Sequence, residues 1–326
     1  MNRDLLEVLA CPECRGDLDV RSDAEHDGRV ETGSLVCRRC DRAFPIVRHV
    51  PRFVPGESYA NSFGFQWTRF RETQLDSHSG LPISKDRFLQ ESQWSPAELR
   101  GKRVLDIGCG AGRFAEVAAG TGAKVLAIDY SSAVDACYAN LASYPQLDVA
   151  QANVYELPIK PGSFDYVYCF GVLQHTPDPH AAVLALADPL KTGGKLALDF
   201  YPRLLANLLW PKYWLRPLTR RMNQERLFRV VQRLVNLLLP VSKALAAVPL
   251  FGRRLRYLLP IITYYGVFSL TDQQHREWAV LDTFDMLAPA HDHPQTSATV
   301  RRWLTEAGLR EIETPPQRPV VGRAVK

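Results

Sequence analysis

The sequence has no uninterrupted apolar run long enough to cross a bilayer: in its leucine-rich part, Pro211, Pro217, Pro240, Pro249, Pro260 and many arginines interrupt the apolar residues. Its opening, Met1-Asn-Arg-Asp-Leu-Leu-Glu-Val-Leu-Ala10, carries two acids in seven positions and lacks the basic start and apolar core of a secretory leader. The chain therefore reads as cytoplasmic. Cysteine is scarce, seven in 326 residues, and four of the seven fall in two Cys-x-x-Cys pairs while Cys109, Cys137 and Cys169 stand alone. That distribution argues against a disulfide framework and suits metal ligation. Nor is the composition biased, at 46% hydrophobic and 23% charged, so disorder and fibrous repeats are excluded and a folded chain is expected.

What is present is unevenly spread. The net charge is only +5, yet the segment from Arg203 to Arg256 holds twelve basic residues and one acid, Glu225, which leaves the rest of the chain net acidic. An anionic partner is thus suggested for this segment rather than for the whole surface.

Residues 1–55 read as a small β-rich metal module, built on Cys11-Pro-Glu-Cys14 and Cys37-Arg-Arg-Cys40, with a helix-like start at Leu5–Leu9. With so few apolar residues it needs a staple, and a tetrahedral zinc on four thiolates would supply one. Residues 56–100 form a polar connector studded with Phe63, Phe65, Trp67, Phe70, Phe88 and Trp94, helix-like near 84–92, whose aromatics must dock on the next domain.

From Gly101 onward strand-like and helix-like segments alternate. Apolar runs at Val104–Ile107, Val125–Ile128, Leu147–Val149, Tyr166–Phe170 and Leu196–Phe200 are separated by helical stretches near 113–119, 132–143 and 179–187. Such alternation implies a Rossmann-like, doubly wound α/β sheet with right-handed crossovers. The first part of this core is placed at 101–200. A basic, leucine-rich helical insertion at 201–266 interrupts it, and 267–326 returns to it with an irregular acceptor-side stretch, a helix at 300–307 and strands at 309–312 and 320–324.

Glycines at 108, 110 and 112 follow the first strand of that series, but Arg113 stands where a dinucleotide fingerprint needs its third glycine. Asp106, two residues before the first glycine, would repel a pyrophosphate and attract a cationic amino-acid moiety. Asp129 ends the next strand about twenty residues on, where a carboxylate can accept from both ribose hydroxyls. S-adenosylmethionine, with its ammonium and sulfonium, meets both conditions.

Asp106-x-Gly108-x-Gly110, Asp129, Gln151-Ala-Asn153, Leu157-Pro158, Phe164–Phe170 and Leu190-Lys-Thr-Gly-Gly194 together resemble the successive motifs of class I S-adenosylmethionine-dependent methyltransferases, of the type 11-like kind. The resemblance implies a seven-stranded sheet with an antiparallel last strand, and a cofactor held near Asp106, Gly108, Gly110, Asp129, Tyr130, Asn153, Val154 and Phe170. Asn153 stands where the family commonly has Asp, and its amide oxygen could accept the adenine amino group. The Cys11, Cys14, Cys37, Cys40 module, with its Gly33–Val47 segment, is similar to the small zinc-ribbon proteins that partner and activate tRNA and protein methyltransferases. Here the ribbon is fused to the enzyme, as a structural staple or as a recruiter of substrate or partner.

Methyl transfer asks the protein to position an acceptor and remove its proton. Gly171-Val-Leu-Gln-His175 follows the fourth strand, and His175 is the first candidate base. His275 is the second, in a cluster with Asp272, Trp278, Asp282, Thr283, Asp285, His291, Asp292 and His293. His291-Asp-His293 could assist through a metal, but equally suits a solvated loop. The acceptor is expected to be a small molecule or glycan, methylated at oxygen, beneath a lid made by the insertion. Alternatively the insertion lies on an anionic membrane, beside lipid-linked acceptors. An RNA methyltransferase fits the ribbon and the basic stretch but lacks an aromatic RNA-binding signature. A non-catalytic scaffold is opposed by the intact glycine loop.

Overall fold

Glycine-bounded apolar runs become the strands of a central sheet, and the computed structural model describes every residue except 55–59, 205–210, 249–254 and 256–257. The expected boundary between ribbon and connector, and Pro249, Arg253, Arg254 and Arg256 of the expected insertion, therefore lie outside the described residues.

The N-terminal module is a four-stranded antiparallel sheet, β1 (Leu18–His26), β2 (Arg29–Cys37), β3 (Ala43–Val47) and β4 (Val50–Pro51), preceded by a 3₁₀ turn at Arg3–Glu7. The main sheet has seven strands: β5 (Arg103–Ile107), β6 (Lys124–Asp129), β7 (Leu147–Gln151), β8 (Phe164–Cys169), β9 (Leu190–Phe200), β10 (Arg310–Glu313) and β11 (Val320–Val325). Their order is β10-β11-β9-β8-β5-β6-β7, with β11 antiparallel to both neighbours and β5 through β9 parallel. Strand order reverses at β5, between β6 and β8, and the crevice at the carboxyl ends there is where such sheets take ligands.

The module does not hang from the sheet. Leu9, Leu18, Val30, Leu35 and Ile46 are buried in one core with Leu105, Leu126 and Ile128 of the sheet and Ile159 of the segment after β7. At the end of β7, Phe53 N–H donates to Gln151 O at 2.8 Å, and in the segment that follows β7, Ala10 N–H donates to Pro158 O at 3.0 Å and Lys160 N–H to Val8 O at 2.8 Å. Arg52 reaches Asp135 Oδ1 at 2.7 Å and Gln151 Oε1 at 3.1 Å, and the His49 ring stacks on Tyr138. The module thus covers an edge that would otherwise expose unpaired backbone groups.

On the opposite face, Phe88, Trp94 and Leu99 pack with Val104, Phe114, Tyr166 and Tyr168. The insertion forms its own core: the Gln224–Ala246 helix buries Leu227, Val231, Val235 and Leu239, an i, i+4 stripe, against Ile261, Val280 and Phe284. Pro240 sits inside this helix on its exposed side, so the chain runs on through a residue that interrupts apolar runs in the sequence.

One expectation is corrected. Residues 272–287, expected to be irregular, form a helix, because Thr271 Oγ1 accepts from Gln274 N–H at 3.2 Å while Thr271 N–H donates to Gln274 Oε1 at 2.9 Å. Its His and Asp residues thereby take helical spacing, which separates side chains that are close in sequence.

Candidate active site

The turn after β5 is held by two N–H groups, Gly108 to Ile128 O at 2.7 Å and Cys109 to Ile128 O at 3.0 Å. Gly108 has φ +83°, and a Cβ there would lie 2.3 Å from Val172 Cγ2, so no larger residue fits. Asp129, at the end of β6, accepts from Gly110 N–H through Oδ2 at 2.9 Å and from Ser131 N–H and Oγ through Oδ1 at 2.8 and 2.7 Å. Burial raises its carboxyl above the ordinary range, and these donors work the other way.

Asp106 lies under the same turn, 2% exposed. Its Oδ2 is buried without a hydrogen-bond partner. Burial lifts this carboxyl to about 8, the Tyr168 hydroxyl acts in the opposite sense, and the Asp129 charge adds to the rise. Two carboxyl groups thus share a dry floor, one of them held protonated by burial, and a cationic ligand would favour the ionised form of both.

Over the floor is a cavity of about 820 Å³, toward the upper end of the roughly 300–1,000 Å³ of small-molecule sites. Gly108, Gly110, Asp129, Tyr130, Val154 and Phe170 line it from the sheet, with Phe63 and Trp67 of the Asn61–Arg69 helix across from them. Tyr213, Leu258 and Tyr264 of the insertion and Asp282 and Asp285 of the Asp272–Leu287 helix complete the wall. Asp106 and Asn153 are not in the lining. Asn153 Oδ1 accepts from Tyr155 N–H at 3.2 Å, capping a 3₁₀ turn, which leaves the oxygen its second lone pair.

His175 lines the cavity at 5% exposure, between the rings of Phe63 and Tyr201. Its Nδ1 lies 3.0 Å from the His291 carbonyl oxygen, which can only accept, so Nδ1 carries the proton. Nε2 is then the basic nitrogen, and it is buried without a partner. Asp199 holds this loop: it accepts from Gly171 N–H and from Arg87 at 2.6 Å.

The structure does not bring His275 to His175. His275 is outside the cavity lining, its ring 4.0 Å from that of Tyr265, and burial lowers its pKa. From the same helix, the cavity receives Asp282 and Asp285 instead. Asp282 accepts from Gln74 Nε2 at 3.1 Å and from the Tyr264 hydroxyl, and burial raises it to about 6. Asp285 accepts from the Tyr201 hydroxyl at 3.4 Å. Of the histidine pair, His293 N–H donates to Gln174 O at 2.8 Å, and Asp292 pairs with Lys212 at 3.0 Å, both side chains buried.

Several of these groups had no motif to mark them. Trp67 covers Gly110 at 3.0 Å from where a Cβ would stand, and Gln74 binds Arg113 Nη1 at 3.0 Å. Arg113 also donates to Ser84 Oγ at 2.9 Å, and burial lowers its pKa to about 10. Burial works against the Arg87 charge, but Asp199 and Glu91 hold it above its ordinary value. Only the unexplained aromatics of the connector hinted that this segment belongs to the site.

In the N-terminal module the four sulfurs of Cys11, Cys14, Cys37 and Cys40 lie within 4.8 Å of one another, with Cys11–Cys40 at 3.7 Å and Cys14–Cys37 at 3.4 Å. A tetrahedral zinc with Zn–S near 2.3 Å needs sulfurs about 3.8 Å apart, so the donor set fits. Among the described residues this is the one group of three or more His, Cys, Asp or Glu close enough to hold a metal.

Residues 105–198 match the family described as a methyltransferase domain, and residues 2–48 match Trm112p-like proteins. The ubiquinone biosynthesis O-methyltransferase of Xanthomonas euvesicatoria is 46% identical over 105 residues, 31% of this chain and 44% of that protein. Its namesake from Xanthomonas axonopodis is 44% identical over 105 residues, with the same coverage. The chain thus spans less than half the length of these relatives. Among solved structures, a complex of the Haloferax volcanii Trm112 methyltransferase activator with a methyltransferase aligns at TM-score 0.45 and 15% identity, over 81% of this chain and 97% of that one. The magnesium protoporphyrin IX methyltransferase of Synechocystis with bound SAH aligns at TM-score 0.44 and 19% identity, over 82% and 96%.

Proposed function

We propose that this chain, whose residues 105–198 are a methyltransferase domain with a Trm112p-like ribbon fused ahead of it, transfers a methyl group from S-adenosylmethionine to an oxygen of a small amphipathic acceptor. The observation that carries the reading is the glycine-walled floor lined by Asp129, with the unpartnered Asp106 Oδ2 beneath it and His175 Nε2 in the same site.

When bound, the cofactor would supply a sulfonium methyl group to the acceptor oxygen, the electron pair of the methyl–sulfur bond going to sulfur. Asp129 would hold the ribose hydroxyls with lone pairs it does not use toward Gly110 and Ser131. Asp106 would stabilise the positive charge from behind the turn. The walls of Tyr130, Val154 and Phe170 would hold the adenine, while Trp67 and Phe63 keep water out. On the acceptor side His175 Nε2 takes the hydroxyl proton, and the imidazolium keeps its Nδ1 hydrogen bond to the His291 carbonyl. Tyr201, Tyr264 and the apolar Ile262 and Met286 favour a ring or chain over a highly charged polymer. The ubiquinone biosynthesis enzymes, similar over 105 residues, support oxygen as the methylated atom.

Calorimetric titration with S-adenosylmethionine tests the first half of this reading. One site per chain is expected, and no heat from the intact protein would overturn it. For the second half, His175→Ala should lower kcat by ~10²–10⁴-fold with cofactor affinity unchanged. Full turnover in that variant would move the base to Asp282 or Asp285.

A further inference from the structure

The insertion leaves large apolar side chains on its surface. Trp214 is 70% exposed, Leu218 71%, Leu237 72% and Leu258 69%, and among the described residues the exposed large hydrophobics outside 211–267 reduce to Val47 at 41%. Such a concentration of exposed apolar side chains in one segment marks an interaction site. On the Gln224–Ala246 helix, Arg226, Val230, Arg233 and Leu237 fall at i, i+4, i+7 and i+11, one face of the helix. That face is the one turned away from Leu227, Val231 and Val235, which are buried. Arg220, Arg221 and Arg229 are exposed nearby, and none of these five arginines makes an ion pair among the described residues.

We infer that this face docks on an anionic lipid surface. The mixture decides the occupant. Exposed leucines and a tryptophan beside unpaired arginines match a headgroup layer that offers phosphate above and acyl chain below. Nucleic acid would answer the arginines but not Leu218 and Leu237. A second copy of the chain would set arginine against arginine, with Glu225 the one acid of the segment to answer them.

The cavity is walled in part by residues of the same insertion. Leu258 both lines it and is 69% exposed, and Tyr213, next to Trp214, lines it too. An amphipathic acceptor held in the lipid layer could enter beside Leu258 without crossing water. This delivery step rests on the methyl-transfer reading above, whereas docking itself does not.

Flotation of the full chain with phosphatidylglycerol/phosphatidylcholine vesicles, against phosphatidylcholine alone, tests the inference without cofactor or acceptor. The chain should float with the anionic vesicles at low ionic strength and be released by salt. L218E/L237E should lower the bound fraction at least about tenfold, and R226Q/R229Q/R233Q by roughly a hundredfold, at about fivefold per charge. Circular dichroism of both variants should match that of the parent, since every substituted side chain is exposed. Failure of the parent chain to float would overturn the proposal, as would binding that both variants retain. A dimer seen by light scattering and lost in L218E/L237E, without flotation, would assign the face to self-association. Calorimetry with S-adenosylmethionine reads the methyltransferase assignment separately, so either can fail alone.

Discussion

The ribbon and the basic insertion are both additions to one sheet, and they are attached in opposite ways. The ribbon merges with the sheet: its Leu9, Leu35 and Ile46 share a core with Leu105 and Ile128, and its backbone pairs along the β7 edge. The insertion packs chiefly on itself, on the Asp272–Leu287 helix and on Phe65 and Phe70, and it leaves leucines in solvent. An addition that completes the core is a structural part. One that keeps a separate core and a sticky face is free to meet a partner and to close over a ligand.

The largest effect that would break this comparison concerns the cysteines. Cys37→Ser should lower the unfolding free energy by several kcal/mol, since metal binding and folding are one equilibrium in such modules. Because the core is shared, calorimetry should show the ribbon and the sheet melting together; a separate early transition for the ribbon would refute the merger. Where the insertion meets the 267–326 segment, Asp292→Ala removes the carboxylate that pairs with the buried Lys212 and should cost about 1–3 kcal/mol. There the loss should register as local opening, read by hydrogen exchange over 211–246, with β5 to β8 still protected.

The floor of the candidate site gives a pH test. The Asp106 carboxyl at about 8 is protonated at neutral pH in the ligand-free fold, so its contribution to stability is lost as pH rises through that value. A bound cation favours the ionised form. Binding should therefore release a proton at pH 7, and affinity should grow with pH toward 8, by at most about tenfold per unit. Asp106→Asn should flatten that slope; an unchanged slope would assign it to Glu91 or Asp282.

A smaller effect sharpens the ribbon's side. Arg52→Ala removes the bonds to Asp135 and to Gln151, whose amide nitrogen in turn donates to the Tyr130 carbonyl at 3.0 Å. A loss of about 1–3 kcal/mol in stability is expected, with a weaker cofactor fit because Tyr130 lines the cavity. The smallest change expected is that of Leu237→Glu on stability, within about 0.5 kcal/mol, since this side chain is 72% exposed.

Much of the candidate site was legible in the chain because its parts are local. Gly108 and Gly110 are required by backbone conformation, Asp129 by its place at a strand end, and the four cysteines by ligand spacing; each depends on neighbours within a few residues. His175 could be named from its loop, but its free Nε2 depends on the His291 carbonyl, 116 residues away.

Sequence alone determined the alternating core, the glycine turn with Arg113 in the place of a third fingerprint glycine, and the four-cysteine module, since short-range sterics, charge and periodicity decide those. Only the tertiary structure decided that Trp67 and Gln74 of the aromatic-studded connector reach the glycine turn and Arg113, and that Asp282 rather than His275 faces the cavity. It alone decided, too, that the ribbon seals the β7 edge while the insertion keeps a face of its own. Helical phase and long-range packing choose among side chains of equal chemistry, and neither is written in a local motif.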